Sequence, residues 1–275
     1  MQETKRVAYA GISQLCAEYG IREIELKYTT LNERWNIYKS ETNDTGNPII
    51  TQYIGIGNGG HAKSVTGGTN KSIGPLERIS DAGTLYDHLP WIMRAKDNDL
   101  TDSERNMYRM RIYEEYDGKV YVSYYLKKFD ITGQYPTLEK RERINNVTTV
   151  SAYGTSPSTL HPAPPITGTD IDKDIAYSSS LKIPFELTQM EVESIREAAN
   201  IISGEPGHGV ISEIGLFRGV DKEVLGNFNG HSRRYIEAIK ASMTSSLNTY
   251  IQLEYGDPVA TYTIDVGTLD TYTRS

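Results

Sequence analysis

Residues 107–131, MYRMRIYEEYDGKVYVSYYLKKFDI, contain the clearest local signal in the chain and decide its fold class. Apolar and polar side chains alternate on both sides of Asp117-Gly118, and such alternation is typical of half-buried β-strands. An Asp-Gly pair between two alternating runs favours a tight turn in which both residues have positive φ. The stretch therefore predicts an antiparallel hairpin within a β-rich fold.

Weaker patterns extend this β-rich region in both directions. Residues 48–57, PIITQYIGIG, are rich in β-branched side chains and predict a buried strand. Alternation over 22–30 and over 141–153 predicts two further strands, and the apolar positions within 3–19 predict a short helix. Between 57 and 75 no period remains, because the sequence is mostly Gly, Ser, Thr, Asn and Lys. That segment is predicted to be one long loop, of a length that is usually functional or flexible.

The second half mixes helix and strand signals. Thr188 and Glu191 form a capping box before an amphipathic run, so a helix is predicted there, ending at Gly204. The composition of 232–247 predicts a second helix. The remaining predicted elements are a hairpin over 207–224 and strands over 178–187, 249–255 and 259–266.

These elements predict an α+β fold that is mainly β. The first half is predicted to be antiparallel and β-rich with long loops, and the second half to be α+β with two helices. We divide the chain into a β-rich domain over 1–153, a Pro-rich linker or arm over 154–174 and an α+β region over 175–275. A surface loop is an equal alternative for 154–174, and the two flanking regions could also pack as one domain.

Length, charge and cysteine content limit the classes of function. The chain has 275 residues, a net charge of −7 and one cysteine, so it has no intrachain disulfide and no cysteine-based zinc site. No apolar run approaches the roughly 20 residues that span a bilayer, and the start lacks the apolar stretch of a signal peptide. The negative charge argues against gripping nucleic acid, but it suits a wall that DNA passes without specific binding. The 20 tyrosines against 4 phenylalanines suit half-buried strands and protein interfaces.

One stretch resembles two nucleotide-binding signatures. Gly55-x-Gly57-x-x-Gly60 fits the dinucleotide pattern, and residues 57–64, GNGGHAKS, miss the phosphate-loop pattern only at Ala62. Both signatures need a helix directly after the glycines, because its amide groups hold the phosphates. The residues that follow have no apolar period and end at a proline. Nucleotide binding by residues 55–64 is therefore kept only as an alternative.

No residue pattern supports catalysis or metal binding. The five histidines lack metal-ligand spacing, and the acidic clusters near 97–99 and 170–174 lack the Gly and Glu of a calcium loop. There is no Gly-x-Ser-x-Gly elbow. We expect no enzyme activity, and we assign no catalytic, cofactor-binding or metal residue and no cofactor.

Two short stretches carry a family resemblance. Residues 53–60, YIGIGNGG, and residues 210–217, VISEIGLF, together resemble virion structural proteins of tailed bacteriophages, from the neck, collar or baseplate region. The SEIGLF run is similar to segments of phage tail and baseplate proteins that form a strand near a subunit contact. The resemblance covers about a tenth of the chain, and it implies no catalytic or metal residues.

The resemblance implies a structural subunit that forms or decorates an oligomeric ring at the head–tail neck or collar. Its expected partners are other copies of itself and neighbouring portal, connector, tail or fibre subunits; its expected location is the virion, after assembly in the host cytoplasm. The alternative role is that of a baseplate or tail-fibre attachment protein of the tail. We expect interface contacts from three segments: the glycine turn over 55–60, the proline arm over 162–165 and the strand over 211–217. The residues expected to make these contacts are Gly55, Gly57, Gly59, Gly60, Pro162, Pro164, Pro165, Ile211, Ile214, Leu216 and Phe217. The segment Ile211 to Phe217 could equally be a core strand.

Overall fold

The computed structural model describes residues 4–8, 10–21, 29–44, 46–66, 69–76, 83–144, 147–154, 174–204, 209–228, 231–254 and 259–271. This part of the chain is mainly antiparallel β-sheet with four helices, which confirms the predicted α+β, mainly β fold class. The helices are α1 Ala10–Glu18, α2 Leu31–Arg34, α3 Asp102–Arg105 and α4 Gln189–Ser203. The strands are β1 Lys5–Arg6, β2 Ile50–Gly57, β3 His61–Thr66, β4 Thr69–Pro75, β5 His88–Leu89, β6 Ile92–Ala95, β7 Tyr108–Tyr116, β8 Lys119–Lys128, β9 Thr137–Ile144, β10 Val147–Ala152, β11 Asp174–Leu187, β12 Val210–Phe228, β13 His231–Gln252 and β14 Ala260–Thr271.

The chain divides into two compact units. Unit 1 consists of Met1–Asp130 and Glu186–Tyr262, and unit 2 consists of Ile131–Phe185 and Thr263–Ser275. Unit 1 therefore takes strands from both regions that the sequence suggested, because β2 pairs with β12. The predicted linker over 154–174 lies outside the described residues except at its two ends, and 22–28 of the predicted strand over 22–30 do so as well.

Unit 1 contains an eight-stranded sheet. Its main strand order is β1-β13-β12-β2-β8-β6, with β5 paired to β2 and β7 paired to β8. The hairpin predicted at Asp117-Gly118 is confirmed: Tyr116 pairs with Lys119, and the φ angles of the two turn residues are +50° and +71°. The predicted helix over 3–19 is present only as α1, and the residues just before it include β1, which pairs with β13.

The strands β12 and β13, of 19 and 22 residues, form a long hairpin. Two predictions were wrong here. The helix predicted over 232–247 is part of β13, because pairing along almost its whole length with β12 overrides the helix-forming composition. The hairpin predicted over 207–224 is a single strand, and Gly219 marks close packing rather than a turn: a Cβ there would lie 3.0 Å from the Ile239 carbonyl oxygen.

The loop predicted over 57–75 was also wrong in part. β3 and β4 pair with each other antiparallel, with Thr66 opposite Thr69, and form a separate two-stranded sheet. Only Gly67-Gly68 separates the two strands in sequence. The glycine-rich segment therefore continues from β2 into a second hairpin, with no helix after the glycines.

The predicted capping box of α4 is confirmed. The Thr188 side chain accepts a hydrogen bond from the Glu191 amide, and the Glu191 carboxylate accepts one from the Thr188 amide. Gly204 ends the helix with φ +70°, the left-handed geometry that favours glycine. Helix α4 buries Val192 and Ile195 and lies against β5 and β6.

Unit 1 contains a core cluster of buried apolar side chains from α1, α2, five strands and the segments between elements. Its members are Val7, Ala10, Leu31, Tyr53, Leu85, Met110, Tyr125, Leu126, Phe217, Ala238, Ala241 and Met243. Two of them, Tyr53 and Phe217, are on β2 and β12, which carry the two stretches with the family resemblance.

Unit 2 contains a four-stranded sheet in the order β10-β9-β11-β14. The pairs β10–β9 and β9–β11 are antiparallel. All six residues of β10 are exposed. This strand is one end of the sheet, and β14 is the other.

Candidate functional site

The two stretches that resemble phage proteins are paired neighbours in unit 1. In the antiparallel register of β2 and β12, Gly55 is opposite Gly215 and Gly57 is opposite Glu213. The Phe217 ring covers both opposed glycines: a Cβ on Gly55 or on Gly215 would lie 2.8 or 2.7 Å from a carbon of that ring. The glycines therefore make room for an aromatic side chain of the core.

The glycine turn after β2 surrounds a carboxylate of the same chain. The Glu213 side chain is fully buried, and its Oε2 accepts hydrogen bonds from the backbone amides of Gly59, at 3.1 Å, and Asp87, at 3.0 Å. Its Oε1 accepts a third from the amide of Tyr86, at 2.8 Å. Converging backbone amides of this kind form an anion-binding nest. The anion in this nest is Glu213.

Three of the glycines are needed because other backbone atoms approach them closely. A Cβ on Gly57 would lie 2.3 Å from the Asp87 carbonyl oxygen, and one on Gly60 would lie 2.4 Å from the Ser212 carbonyl oxygen. A Cβ on Gly59 would meet the backbone nitrogen of Asp87 at 2.9 Å. Any larger residue would push the turn away from the carboxylate that it encloses.

Beside the nest, Ser212 and His61 form a buried polar pair. The Ser212 hydroxyl accepts a hydrogen bond from the Gly60 amide at 3.0 Å and lies 2.8 Å from His61 Nδ1. A serine next to a histidine suggests a nucleophile. Ser212 is fully buried, and its hydroxyl binds the glycine turn to β12.

Asp221 connects its own strand, β12, to three other strands through a partly exposed ionic cluster. It accepts hydrogen bonds from Arg109 at 2.7 and 3.0 Å, from Lys128 at 2.7 Å and from the Tyr53 hydroxyl at 2.8 Å. Burial alone would raise the pKa of Asp221, but the hydrogen bonds from Arg109 and Lys128 outweigh it and lower this pKa to about 2. The carboxylate is thus ionised at neutral pH and bridges β2, β7, β8 and β12.

Glu237 of β13 is completely buried beneath β7. Its Oε2 accepts hydrogen bonds from the amide of Met110, at 2.6 Å, and of Arg111, at 3.3 Å. Met110 has φ +58°, a left-handed conformation that is strained for a residue with a side chain. Burial raises the pKa of Glu237 to about 7, although both amide bonds act in the opposite direction.

The capping-box residue Glu191 fixes α4 to the sheet. Its carboxylate is fully buried and lies 2.7 Å from Lys127 Nζ, and it accepts a hydrogen bond of 2.5 Å from the Tyr108 hydroxyl. Lys127 also donates to the Glu186 carbonyl oxygen at 2.8 Å. A buried ion pair with further hydrogen bonds costs little to retain, but loss of one partner strands a buried charge.

The residues predicted as interface contacts fall into two groups. Gly55, Gly57 and Gly60 are buried within the chain, and so are the side chains of Ile211, Ile214, Leu216 and Phe217, while Gly59 is half-buried. Pro162, Pro164 and Pro165 lie outside the described residues. Sequence reasoning missed Glu213, whose signal was a lone charge within the otherwise apolar run of residues 210–217.

Two features of the described residues bear on metal and membrane binding: the grouping of metal-ligand side chains and the length and apolar character of the helices. Within them, no three His, Cys, Asp or Glu side chains are grouped so as to bind a metal ion. None of the helices in that part of the chain has the length and apolar character to cross a membrane. The buried ionic groups described above hold strands and turns together.

Fold and site together define an α+β, mainly β protein whose glycine turn encloses its own carboxylate. The chain matches, over residues 1–275, the family described as "Family of unknown function (DUF7208)", and it belongs to that family. No curated protein and no solved structure matches it.

Proposed function

We propose that the chain is a non-enzymatic structural subunit of a tailed-phage virion, which forms or decorates an oligomeric ring at the head–tail neck or collar. The observation that carries the proposal is a stripe of exposed apolar side chains along α1 and just beyond it, together with exposed valines on β10. Exposed apolar patches on soluble proteins often mark contacts with other proteins. The resemblance of residues 53–60 and 210–217 to phage virion proteins supports the choice of assembly.

One stripe lies on α1 and just beyond it. Ile12, Leu15 and Tyr19 are spaced to lie on one side of the helix, and Leu15 and Tyr19 are 56% and 69% exposed. Of the two buried residues of the helix, Ala10 lies on the opposite side, and Cys16, one turn after Ile12, lies at the edge of this stripe. Strand β10 also exposes Val147 and Val150, at 65% and 50%, and their odd spacing places them on opposite faces of the sheet. Exposed apolar side chains on separate elements suit a subunit with several neighbours in one particle.

The interior polar groups support assembly over the nucleotide alternative. The amide of Gly59, which would have to hold a phosphate, donates instead to Glu213 at 3.1 Å. No helix follows the turn to supply further amides, since β3 begins at His61. The net charge of −7 also suits the inner wall of a ring that DNA passes.

Two measurements on the full chain test the proposal. Light scattering and electron microscopy of the purified chain should show closed oligomers. On purified virions, a gold-conjugated antibody against the chain should label the neck or collar. A strictly monomeric chain that is also absent from virions would refute the proposal. Label at the baseplate would instead favour the attachment role.

A further inference from the structure

The end strand of the small sheet in unit 2, β10, has none of the features within its own sequence that normally protect a sheet edge. Edge strands usually avoid unwanted pairing through charged side chains, proline, bulges or short length. The sequence of β10, VTTVSA, has no charge, no proline and no glycine, and its register with β9 is unbroken over six residues. In the part of the chain that the structure describes, no strand other than β9 pairs with β10.

The charged side chains that would protect this edge are on β9, the strand that pairs with β10. In β9, TLEKRERI, five of eight residues are charged, and they form the ion pairs Lys140–Glu142 and Arg141–Glu139. A sheet with charges on its inner strand and none on its end strand has the composition of a sheet that continues past β10. Depletion of charge is also what distinguishes the centre of protein interfaces.

We propose that β10 pairs with β14 of a neighbouring copy of this chain, so that the small sheets of successive subunits join into one continuous sheet. This inference rests on the proposed ring function and names the contact that builds the ring. Head-to-tail pairing of one end strand with the other uses both edges of every subunit when the ring closes. Pairing of β10 with β10 of a second copy would leave the β14 edge of each copy open.

Length and charge favour β14 as the partner strand. β14 has 12 residues, enough to cover the six of β10. Its sequence contains two aspartates and no basic residue, whereas β9 contains three basic and two acidic residues. Joining the sheets would place an acidic strand next to uncharged β10 and one strand away from basic β9. The main-chain hydrogen bonds of such strand addition supply affinity without any preformed pocket.

Opposite charges introduced at one exposed position separate the two pairings. Next to acidic β14, Val150→Glu should weaken assembly by about tenfold or more in Kd, through like-charge repulsion, while Val150→Lys should weaken it much less. If β10 paired with itself, both variants would be repelled equally. Leu225→Glu is the matched control, because Leu225 is an apolar strand residue of unit 1 that is 69% exposed, and it should assemble like the wild type.

Cysteine cross-linking identifies the paired strands directly. In a Cys16→Ala background, Thr149→Cys on β10 and Thr263→Cys on β14 should form disulfide-linked dimers only when the two variants are mixed. Dimers from Thr149→Cys alone, or oligomers unaffected by Val150→Glu, would overturn the inference while leaving the proposed function standing. A wild-type chain that neither oligomerises nor enters virions would overturn both.

Discussion

The nest around Glu213 makes a sharp prediction, because one substitution changes its charge without changing its size. In Glu213→Gln one carboxylate oxygen becomes an NH₂ group that faces backbone N–H donors. The glutamine amide can be placed in two orientations. The better one directs its NH₂ group toward the single donor, the Tyr86 amide, and leaves its oxygen to accept from Gly59 and Asp87. The part-buried N–H of Tyr86 then loses its acceptor in the nest, and the two remaining bonds lose their ionic partner.

These losses can be estimated from general values. An unsatisfied buried donor costs about 1–3 kcal/mol, and hydrogen bonds to charged groups are stronger than neutral ones by roughly 1 kcal/mol. We expect Glu213→Gln to lower the free energy of unfolding of unit 1 by about 3 kcal/mol. Glu213→Ala removes the acceptor of all three amide bonds and leaves a cavity, so it should lower that free energy further and reduce the yield of folded protein.

Urea unfolding followed by tryptophan fluorescence measures this change. Both tryptophans, Trp35 and Trp91, belong to unit 1, so the signal reports the unit that contains the nest. Glu223→Gln is the matched control, because Glu223 is an exposed residue of the same strand whose ion pair with Arg234 is at the surface. The control should change stability by less than about 0.5 kcal/mol. Equal effects of the two substitutions would refute the role of the nest.

Four further predictions use other parts of unit 1 and unit 2. Gly60→Ala should destabilise the chain by more than about 2 kcal/mol in urea unfolding, whereas Gly154→Ala, whose added Cβ meets no atom of the described residues within 4 Å, should be neutral. The pKa of Asp221 is about 2 in the folded state and near 3.8 in the unfolded state. Its contribution to the free energy of unfolding is therefore present above pH ~4 and is lost as pH falls toward 2. In thermal unfolding, Asp221→Asn should lower that free energy by about 2 kcal/mol at pH 7 and by little at pH 2. The pKa of Glu237 is raised from 4.5 to about 7, so the stability of the wild type falls as pH rises through this window. Glu237→Gln should therefore gain stability relative to the wild type between about pH 5 and pH 8. A stability difference between the two that stays constant with pH would contradict this. Labelled ATP should not bind the wild type, and saturable binding that Lys63→Ala abolishes would revive the nucleotide alternative.

Local signals predicted the elements whose partners are close in sequence. The turn at Asp117-Gly118 and the capping box of Thr188 and Glu191 both act within four residues, and both are present as predicted. Two equally local signals were overlooked. Asn229-Gly230 separates β12 from β13, and Gly67-Gly68 separates β3 from β4, each by two residues. Such pairs favour tight hairpins, so both hairpins could have been predicted from turn chemistry alone.

The error over 232–247 has a different cause, which is non-local pairing. Residues such as Glu237, Ala238 and Ala241 favour a helix in isolation. In the folded chain the segment pairs with β12 on one edge over almost its whole length, and near its start Glu237 turns inward to the amides of β7. A composition-based prediction contains neither contact. The strand forms because it pairs with β12, its neighbour in the chain, from Phe228 opposite His231 to Val210 opposite Gln252.

The glycine turn shows why a motif can be read correctly for its geometry and still mislead about its ligand. Phosphate loops use glycine so that backbone amides converge on an anion, and the turn from Gly57 to Gly60 does the same. Here the anion comes from Glu213, which is 154 residues away from Gly59 in sequence. Only the register of β2 against β12 brings them together, so no spacing rule within 53–64 could identify the ligand. The charge that interrupts the apolar run of β12 was the one sequence signal for it, because a charged residue within a buried strand requires an internal partner.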